Sequence, residues 1–312
     1  MKQQALHILL KATWNRTLGK RLKYRLQKMN YTYKKVGWSI KVFFSEEDFH
    51  KKETWQLRDS ATWFSLKDQS ISTLKGLADP FLIVKDEKVH LFFEAIVDKK
   101  GEIWSAEFFK NRIVNPKPVL VEDFHLSFPN VFKYDDSFYM LPESNEDSSV
   151  RLYKAAQFPN SWELVKTLHA GNRFVDTIFL QQNDIFYWFT YDIDMEKSRL
   201  FYSDSLTSEW NEHPVSPFNS NRNGGSFIFF DDKIVRPVQI SEEGYGEGLR
   251  LSKIENINLQ VLEESDFINP FLTKSLPFDL DGTHHISIVD YLGDKLIATD
   301  GKNNNFYSIL KN

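Results

Sequence analysis

The chain has 312 residues, 41% hydrophobic and 15% aromatic, which is enough apolar material for a substantial core. It contains no cysteine, which excludes disulfide frameworks, thiolate metal sites and a cysteine nucleophile, and fits a reducing, cytoplasmic setting. The net charge of -4 conceals ten Lys/Arg and no acid in residues 1–40, against 29 basic and 43 acidic side chains in the other 272; an acidic body argues against a nucleic-acid partner.

In residues 1–30, Leu6, Leu10, Trp14, Leu18, Leu22 and Leu26 recur at every fourth position among basic residues. This pattern predicts a short basic N-terminal helix with one apolar face. Three roles are open to it: packing on the rim of the body, lying on an anionic membrane surface, or binding a partner protein. The basic start lacks a clean apolar stretch ending in small residues, so no signal peptide is expected. No apolar run approaches the ~20 residues of a membrane span. The expected division is a basic segment at 1–36 and a repetitive body at 37–312.

The body repeats itself. Residues 79–94 lie over residues 128–143 without a gap at an offset of 49, with Pro80 on Pro129 and Glu94 on Glu143. Further copies run from Asp176 to Tyr191, from Gly224 to Gln239 and from His284 to Gly301. Each reads as apolar strand, short polar turn, apolar strand, the signature of a β-hairpin. The following segments repeat as well: Arg151 to Ala155 with Trp162 matches Arg199 to Ser203 with Trp210, adding a third and a fourth strand. Five four-stranded units of about 50 residues predict an all-β, five-bladed β-propeller. Strands around Trp38–Phe44 and Thr62–Leu66 are expected to complete the last blade and close the ring.

In a propeller, the start of each blade's first strand and the end of its second lie at the same face of the disc. Asp79, Glu94, Glu143 and Asp176 occupy such positions, and His125, Arg236, Gln239, Tyr245, His284 and His285 lie close to them in sequence. Carboxylates crowded into a narrow, partly dry funnel repel one another, so their coincidence points to a site. Each also has a structural reading. Asp79 can begin a strand, Glu143 can pair with Arg236, Asp176 can cap a turn, and His284 with His285 can close the last blade. Tyr245 stands between Gly244 and Gly246, on a loop that allows a ligand close to the backbone. There is no phosphate-cradling glycine loop and no Gly-x-Ser-x-Gly elbow. No cofactor or metal is expected, apart from the alternative that one histidine helps to hold a Ca²⁺ or a water in the axial channel.

Ala78 to Leu82, Phe92 to Glu94, His125 to Pro129, Tyr139 to Glu143, Phe158-Pro159 with Trp162, His213-Pro214, Arg236-Pro237 with Gln239, Tyr245-Gly246 and Gly282 to His285 follow one another along the chain. In this order they resemble the N-terminal propeller domain of glucosamine inositolphosphorylceramide transferases and their bacterial polysaccharide-cluster relatives. The resemblance covers roughly residues 37–301. It implies a carbohydrate-recognising propeller serving surface-polysaccharide or glycoconjugate assembly, with a sugar or glycan as ligand and assembly enzymes as partners. A more distant similarity is to the five-bladed glycoside hydrolases of families 43 and 32, which carry acids on the inner strands of their first three blades. That similarity implies Asp79 as base or nucleophile and places Asp176 at the third-blade acid. The second-blade acid is replaced by Phe128, with Glu143 on the neighbouring strand. The roles expected from it are Glu143 as acid, Asp176 tuning the pair or gripping sugar hydroxyls, Arg236 binding an anionic group and His285 orienting the ligand. The alternative is a non-catalytic glycan-binding module for a separate glycosyltransferase.

Overall fold

The computed structural model of the chain describes residues 32–33, 36–45, 62–64, 74–242, 244–272, 282–303 and 306–307. The basic helix expected at 1–30 lies outside them. Residues Trp38–Lys302 form one compact unit, and it is a five-bladed β-propeller. The first blade comprises Leu74–Lys85, Lys88–Val97, Lys100–Phe109 and Arg112–Leu120. The second comprises Ser127–Tyr134, Ser137–Ser144, Ser149–Gln157 and Ser161–Ala170. The third holds Phe174–Gln182, Ile185–Asp192, Lys197–Ser203 and a two-residue outer strand, Asn211–Glu212. The fourth holds Ile228–Phe230, Lys233–Ile240, Gly248–Ile257 and Leu262–Leu272. Ile286–Tyr291 and Asp294–Asn303 begin the fifth, and Val36–Ser45 and Thr62–Phe64 complete it. The ring therefore closes as the sequence predicts, with early strands finishing the last blade. In the separate unit of Met1–Gly37 and Asn303–Asn312, Thr32–Tyr33 pairs antiparallel with Phe306–Tyr307.

Two local devices repeat from blade to blade. The first is the hairpin turn. Asp86-Glu87, Asp135-Asp136, Asn183-Asp184, Asp231-Asp232 and Leu292-Gly293 all have positive φ at both central residues. This geometry matches the strand twist, and Asp, Asn and Gly adopt it most readily. The second is a bulge in the first strand. Pairing skips two residues between Ala78 and Phe81, between Ser127 and Asn130, and between Val175 and Ile178. The first skipped residue is left-handed each time: Asp79 (φ 52°), Phe128 (φ 44°) and Asp176 (φ 52°). Pro80 and Pro129 fit the second skipped place, where no ladder hydrogen bond is donated. The bulge frees the backbone N–H of its first residue, and a carboxylate of the preceding blade accepts it.

Those carboxylates stitch neighbouring blades together. Asp300 Oδ2 of the fifth blade accepts the Asp79 N–H (3.4 Å). Asp79 Oδ2 accepts the Phe128 N–H (3.1 Å), and Glu143 Oε2 accepts the Asp176 N–H (3.2 Å). Between the blades, aromatic and aliphatic side chains such as Phe81, Phe92, Met140, Ile178 and Phe189 fill a continuous buried core. The acids therefore sit on a rigid frame.

Candidate functional site

Asp79, Glu94, Glu143 and Asp176 are all buried and come together at one end of the axis. Two charge clusters form there. In the first, the His284 ring lies between two carboxylates: its Nδ1 is 2.7 Å from Asp300 Oδ2 and its Nε2 is 3.2 Å from Asp79 Oδ1. Burial alone would make His284 less basic, but Asp300 and Asp79 outweigh it and raise the imidazole to about 10. Burial likewise works against a charge on Asp79, and the His284 contact overcomes it, holding Asp79 below the ordinary carboxylate range. Asp79 is thus an ionised acceptor beside an imidazolium.

The second cluster centres on Arg222. Its Nε and Nη2 grip the two oxygens of Asp176 at 2.5 and 3.0 Å, a bidentate, charge-assisted geometry. Gln239 Nε2 donates to Asp176 Oδ2 at 3.0 Å. Glu143 is farther from the same guanidinium, with Nη2 at 3.6 Å from its Oε2. Asn145 Nδ2 donates to its other oxygen. Burial raises Glu143 first, the Asp176 charge raises it further, and Arg222 compensates only in part, so its carboxyl is pushed up to about 8. At neutral pH Glu143 carries a proton and Asp79 does not. Pairs of carboxyl groups driven apart in this way are a means of assigning donor and acceptor roles in a site.

Two further features frame the mouth. His125 Nε2 is 2.9 Å from Glu94 Oε1 while its Nδ1 accepts the Gly101 N–H (3.0 Å). Burial raises Glu94, and the hydrogen bond to Glu94 raises His125. Above His284 stand two aromatic rings, Trp38 at 4.3 Å and Tyr245 at 4.9 Å between centroids. Tyr245 is 48% exposed and also lies over the Arg222 guanidinium at 5.4 Å. A Cβ on Gly246 would stand 2.5 Å from the Trp38 ring, so this glycine allows the loop to sit against Trp38. His285 turns away from its neighbour. It is fully buried against Phe81 and Phe128, neither ring nitrogen has a hydrogen-bond partner among the described residues, and burial lowers it to about 4, so it is neutral.

Arg236 is not part of the mouth. It is fully buried, its Nε and Nη2 engage Glu264 at 2.7 and 2.6 Å, and it also donates to Asn223 and Ser220. Its Nε, Nη1 and Nη2 are all engaged in this way. Arg222 holds the place beside the acids that the sequence reading gave to Arg236. Of the two roles expected of Asp176, the charge acting on Glu143 is the one this geometry supports, since its oxygens are engaged by Arg222 and Gln239. Sequence reasoning missed Arg222, Asp300 and Trp38. Asp300 was within reach of the repeat, since it ends the fifth hairpin one residue before the assigned Gly301.

The family profile described as glucosamine inositolphosphorylceramide transferase 1, N-terminal, matches residues 33–275. The chain is similar to glucosamine inositolphosphorylceramide transferase 1 of Arabidopsis thaliana, 30% identical over 276 residues, covering 79% of this chain and 35% of that protein. The protein of the same name from Oryza sativa subsp. japonica is 32% identical over 204 residues, covering 60% and 27% respectively. The chain thus spans about a third of the length of these relatives. Among solved structures it is similar to the catalytic domain of a GH62 α-L-arabinofuranosidase from Coprinopsis cinerea. The TM-score is 0.60 at 12% identity, over 74% of this chain and 93% of that one. A second α-L-arabinofuranosidase, from Podospora anserina and in complex with cellotriose, gives a TM-score of 0.57 at 12% identity, over 76% and 93%. At these identities the likeness is one of fold.

Proposed function

The chain belongs to the glucosamine inositolphosphorylceramide transferase N-terminal family, and from that premise we propose that its propeller recognises a carbohydrate at the axial mouth. The task it serves is glycoconjugate or surface-polysaccharide assembly. One observation carries the reading: Asp79, in contact with His284, and Glu143, left 3.6 Å from Arg222, stand at the same mouth, and the half-exposed Tyr245 ring lies against both His284 and Arg222. A sugar hydroxyl both donates and accepts, so it is matched by one group that only accepts and another that also donates. The apolar face of a pyranose is matched by an aromatic ring, and such mixed lining is typical of small-ligand sites. The Glu94–His125 pair extends the polar rim. The test is to screen the pure protein against glycans and sugar nucleotides, with cellotriose as a neutral reference. Saturable binding that Tyr245→Ala weakens supports the reading, and no binding across the panel rejects it.

A second reading, glycosidic chemistry, is favoured by the same separation of the two carboxyl groups. Glu143 would protonate the leaving oxygen and Asp79 would assist attack. Against it stands the engagement of Asp79 with Phe128 and His284. Glu143→Gln separates the two. A neutral amide keeps a donor, so recognition persists at neutral pH, whereas loss of a transferable proton removes a rate factor of about 10²–10⁴.

The proposal also includes peripheral contact with anionic membranes through residues 1–30. Each Lys or Arg close to such a surface adds about 1 kcal/mol. Full-length chain should therefore bind anionic vesicles more tightly than a chain starting at Tyr31, and equal binding would remove this part.

A further inference from the structure

Asp300 has a place in this site that the family motifs did not mark. It is completely buried, and its two oxygens are divided between two tasks. Oδ1 accepts the His284 N–H (3.0 Å), the His285 N–H (3.2 Å) and the Thr283 hydroxyl (3.2 Å). Three donors on one oxygen fix the orientation of the carboxylate. Oδ2 thereby stands 2.7 Å from His284 Nδ1, an ion-pair contact rather than an aligned hydrogen bond, and also accepts the Asp79 N–H. The far side of the imidazole, Nε2, faces Asp79 Oδ1 at 3.2 Å. Trp38 and Tyr245 lie against the same ring.

An imidazole between two carboxylates behaves differently from one beside a single acid. With one partner it can stay neutral, donating through one nitrogen. With carboxylates facing both nitrogens, the doubly protonated ring is the form that presents N–H to each, and a cation there favours the ionised state of Asp79. The groups around the ring are Asp79 and Glu94 from the first blade, Asp300 and His285 from its own, and Tyr245 from the fourth-blade loop. None of these is a cation that would compete with the imidazolium, since His285 is buried and neutral.

We propose that Asp300 is a positioning residue, which acts through His284 to hold the Asp79 carboxylate ionised and fixed in direction for the ligand at the mouth. The inference rests on the proposed carbohydrate reading for what Asp79 meets. It concerns a chain of three side chains, Asp300–His284–Asp79, that exists in the protein alone. Asp300 is not itself a group that touches ligand.

The test uses full-length protein without ligand, so its outcome is independent of whether any glycan binds. Imidazole nitrogens and aspartate carboxyl carbons are labelled and followed by NMR across pH 3–10, with His284→Gln assigning the His284 signals and Asp79→Asn those of Asp79. In the wild type, His284 should remain doubly protonated past pH 8. In Asp300→Asn the amide donates to Nδ1, so the ring should become neutral at lower pH, and the Asp79 carboxyl should titrate about 1–3 pH units higher. Far-ultraviolet circular dichroism and melting curves monitor the fold. Should Asp300→Asn fail to fold, His284→Gln carries the same test, because it removes the imidazolium and leaves Asp300 in place; Asp79 should again titrate higher. A wild-type His284 that is neutral at pH 7.5 would overturn the proposal. So would an Asp79 titration that is the same in folded wild type and variant.

Discussion

Each half of the mouth sets one basic side chain against two carboxyl groups, and the two halves reach opposite outcomes. On the side of the fifth and first blades, one imidazole serves two carboxylates and both of its nitrogens are shared, at 2.7 and 3.2 Å. On the side of the second and third blades, one guanidinium also faces two carboxylates, but its two closest bonds both go to Asp176, at 2.5 and 3.0 Å, and Glu143 is left at 3.6 Å. Asp79 is therefore held ionised and Glu143 protonated, although both are buried. Counting charges would not separate them. What decides is where the donors of the nearest cation are committed, because a buried carboxylate needs a close, aligned partner to offset lost hydration.

The largest way to break this contrast is to remove the cation of the second half. Arg222→Ala leaves the buried Asp176 carboxylate with Gln239 as its remaining side-chain donor among the described residues. Breaking a buried pair on one side costs about 3–5 kcal/mol, so a large drop in melting temperature is expected. Asp176→Asn in the same background should restore part of it, because the stranded charge is gone. If Arg222→Ala alone melts like wild type, Arg222 is not what holds Asp176.

A smaller effect sharpens the contrast through pH. The folded value of Glu143, about 8, lies above its ordinary value of 4.5, so the native state binds this proton more tightly than the unfolded chain. The associated stability is fully present below about pH 4.5 and is lost as pH rises towards 8, at on the order of 1 kcal/mol per pH unit. Glu143→Gln should lose that slope. Denaturant midpoints of both proteins between pH 5 and 8 decide the matter, and parallel curves would show that Glu143 titrates normally.

The smallest effect concerns His285, which is buried beside the mouth and has no ion-pair partner among the described residues. Its folded value of about 4 lies below its ordinary 6.5. Its contribution is therefore present above pH 6.5 and declines as pH falls towards 4. His285→Leu removes two buried nitrogens that have no hydrogen-bond partner among the described residues. It should match or slightly exceed wild type at pH 7 and resist acid better, as read by melting curves at pH 7 and 4.5. A variant no more acid-resistant than wild type would mean that the ring is charged or solvated.

The propeller was legible because each blade repeats both its turn and its bulge, and the 49-residue offset places Glu94 on Glu143. The acid cluster followed from strand direction alone. The residues that set its charge were not legible, for three reasons. Arg222 lies before the fourth blade's first strand, outside the repeated hairpin, and reaches the third blade from there. Trp38 comes from a strand at the other end of the chain, brought in by ring closure. Asp300 was displaced by a one-residue error in the register of the fifth hairpin, which a period-two pattern punishes fully. Arg236, placed near the acids by its position in the sequence, turns instead to Glu264 on the outermost strand of its blade.

The central claim is that an ionised Asp79 and a protonated Glu143 together recognise a sugar. It is tested most directly by calorimetric titration, at pH 6.5, of the tightest-binding glycan from the panel into wild type, Asp79→Asn and Glu143→Gln. Loss of a hydrogen bond to a charged acceptor costs about 1.5–3 kcal/mol, so Asp79→Asn should weaken binding by roughly tenfold to a hundredfold. Glu143→Gln, which replaces one neutral donor by another, should bind within about threefold of wild type. Equal losses in both variants, or no loss in Asp79→Asn, would contradict the account.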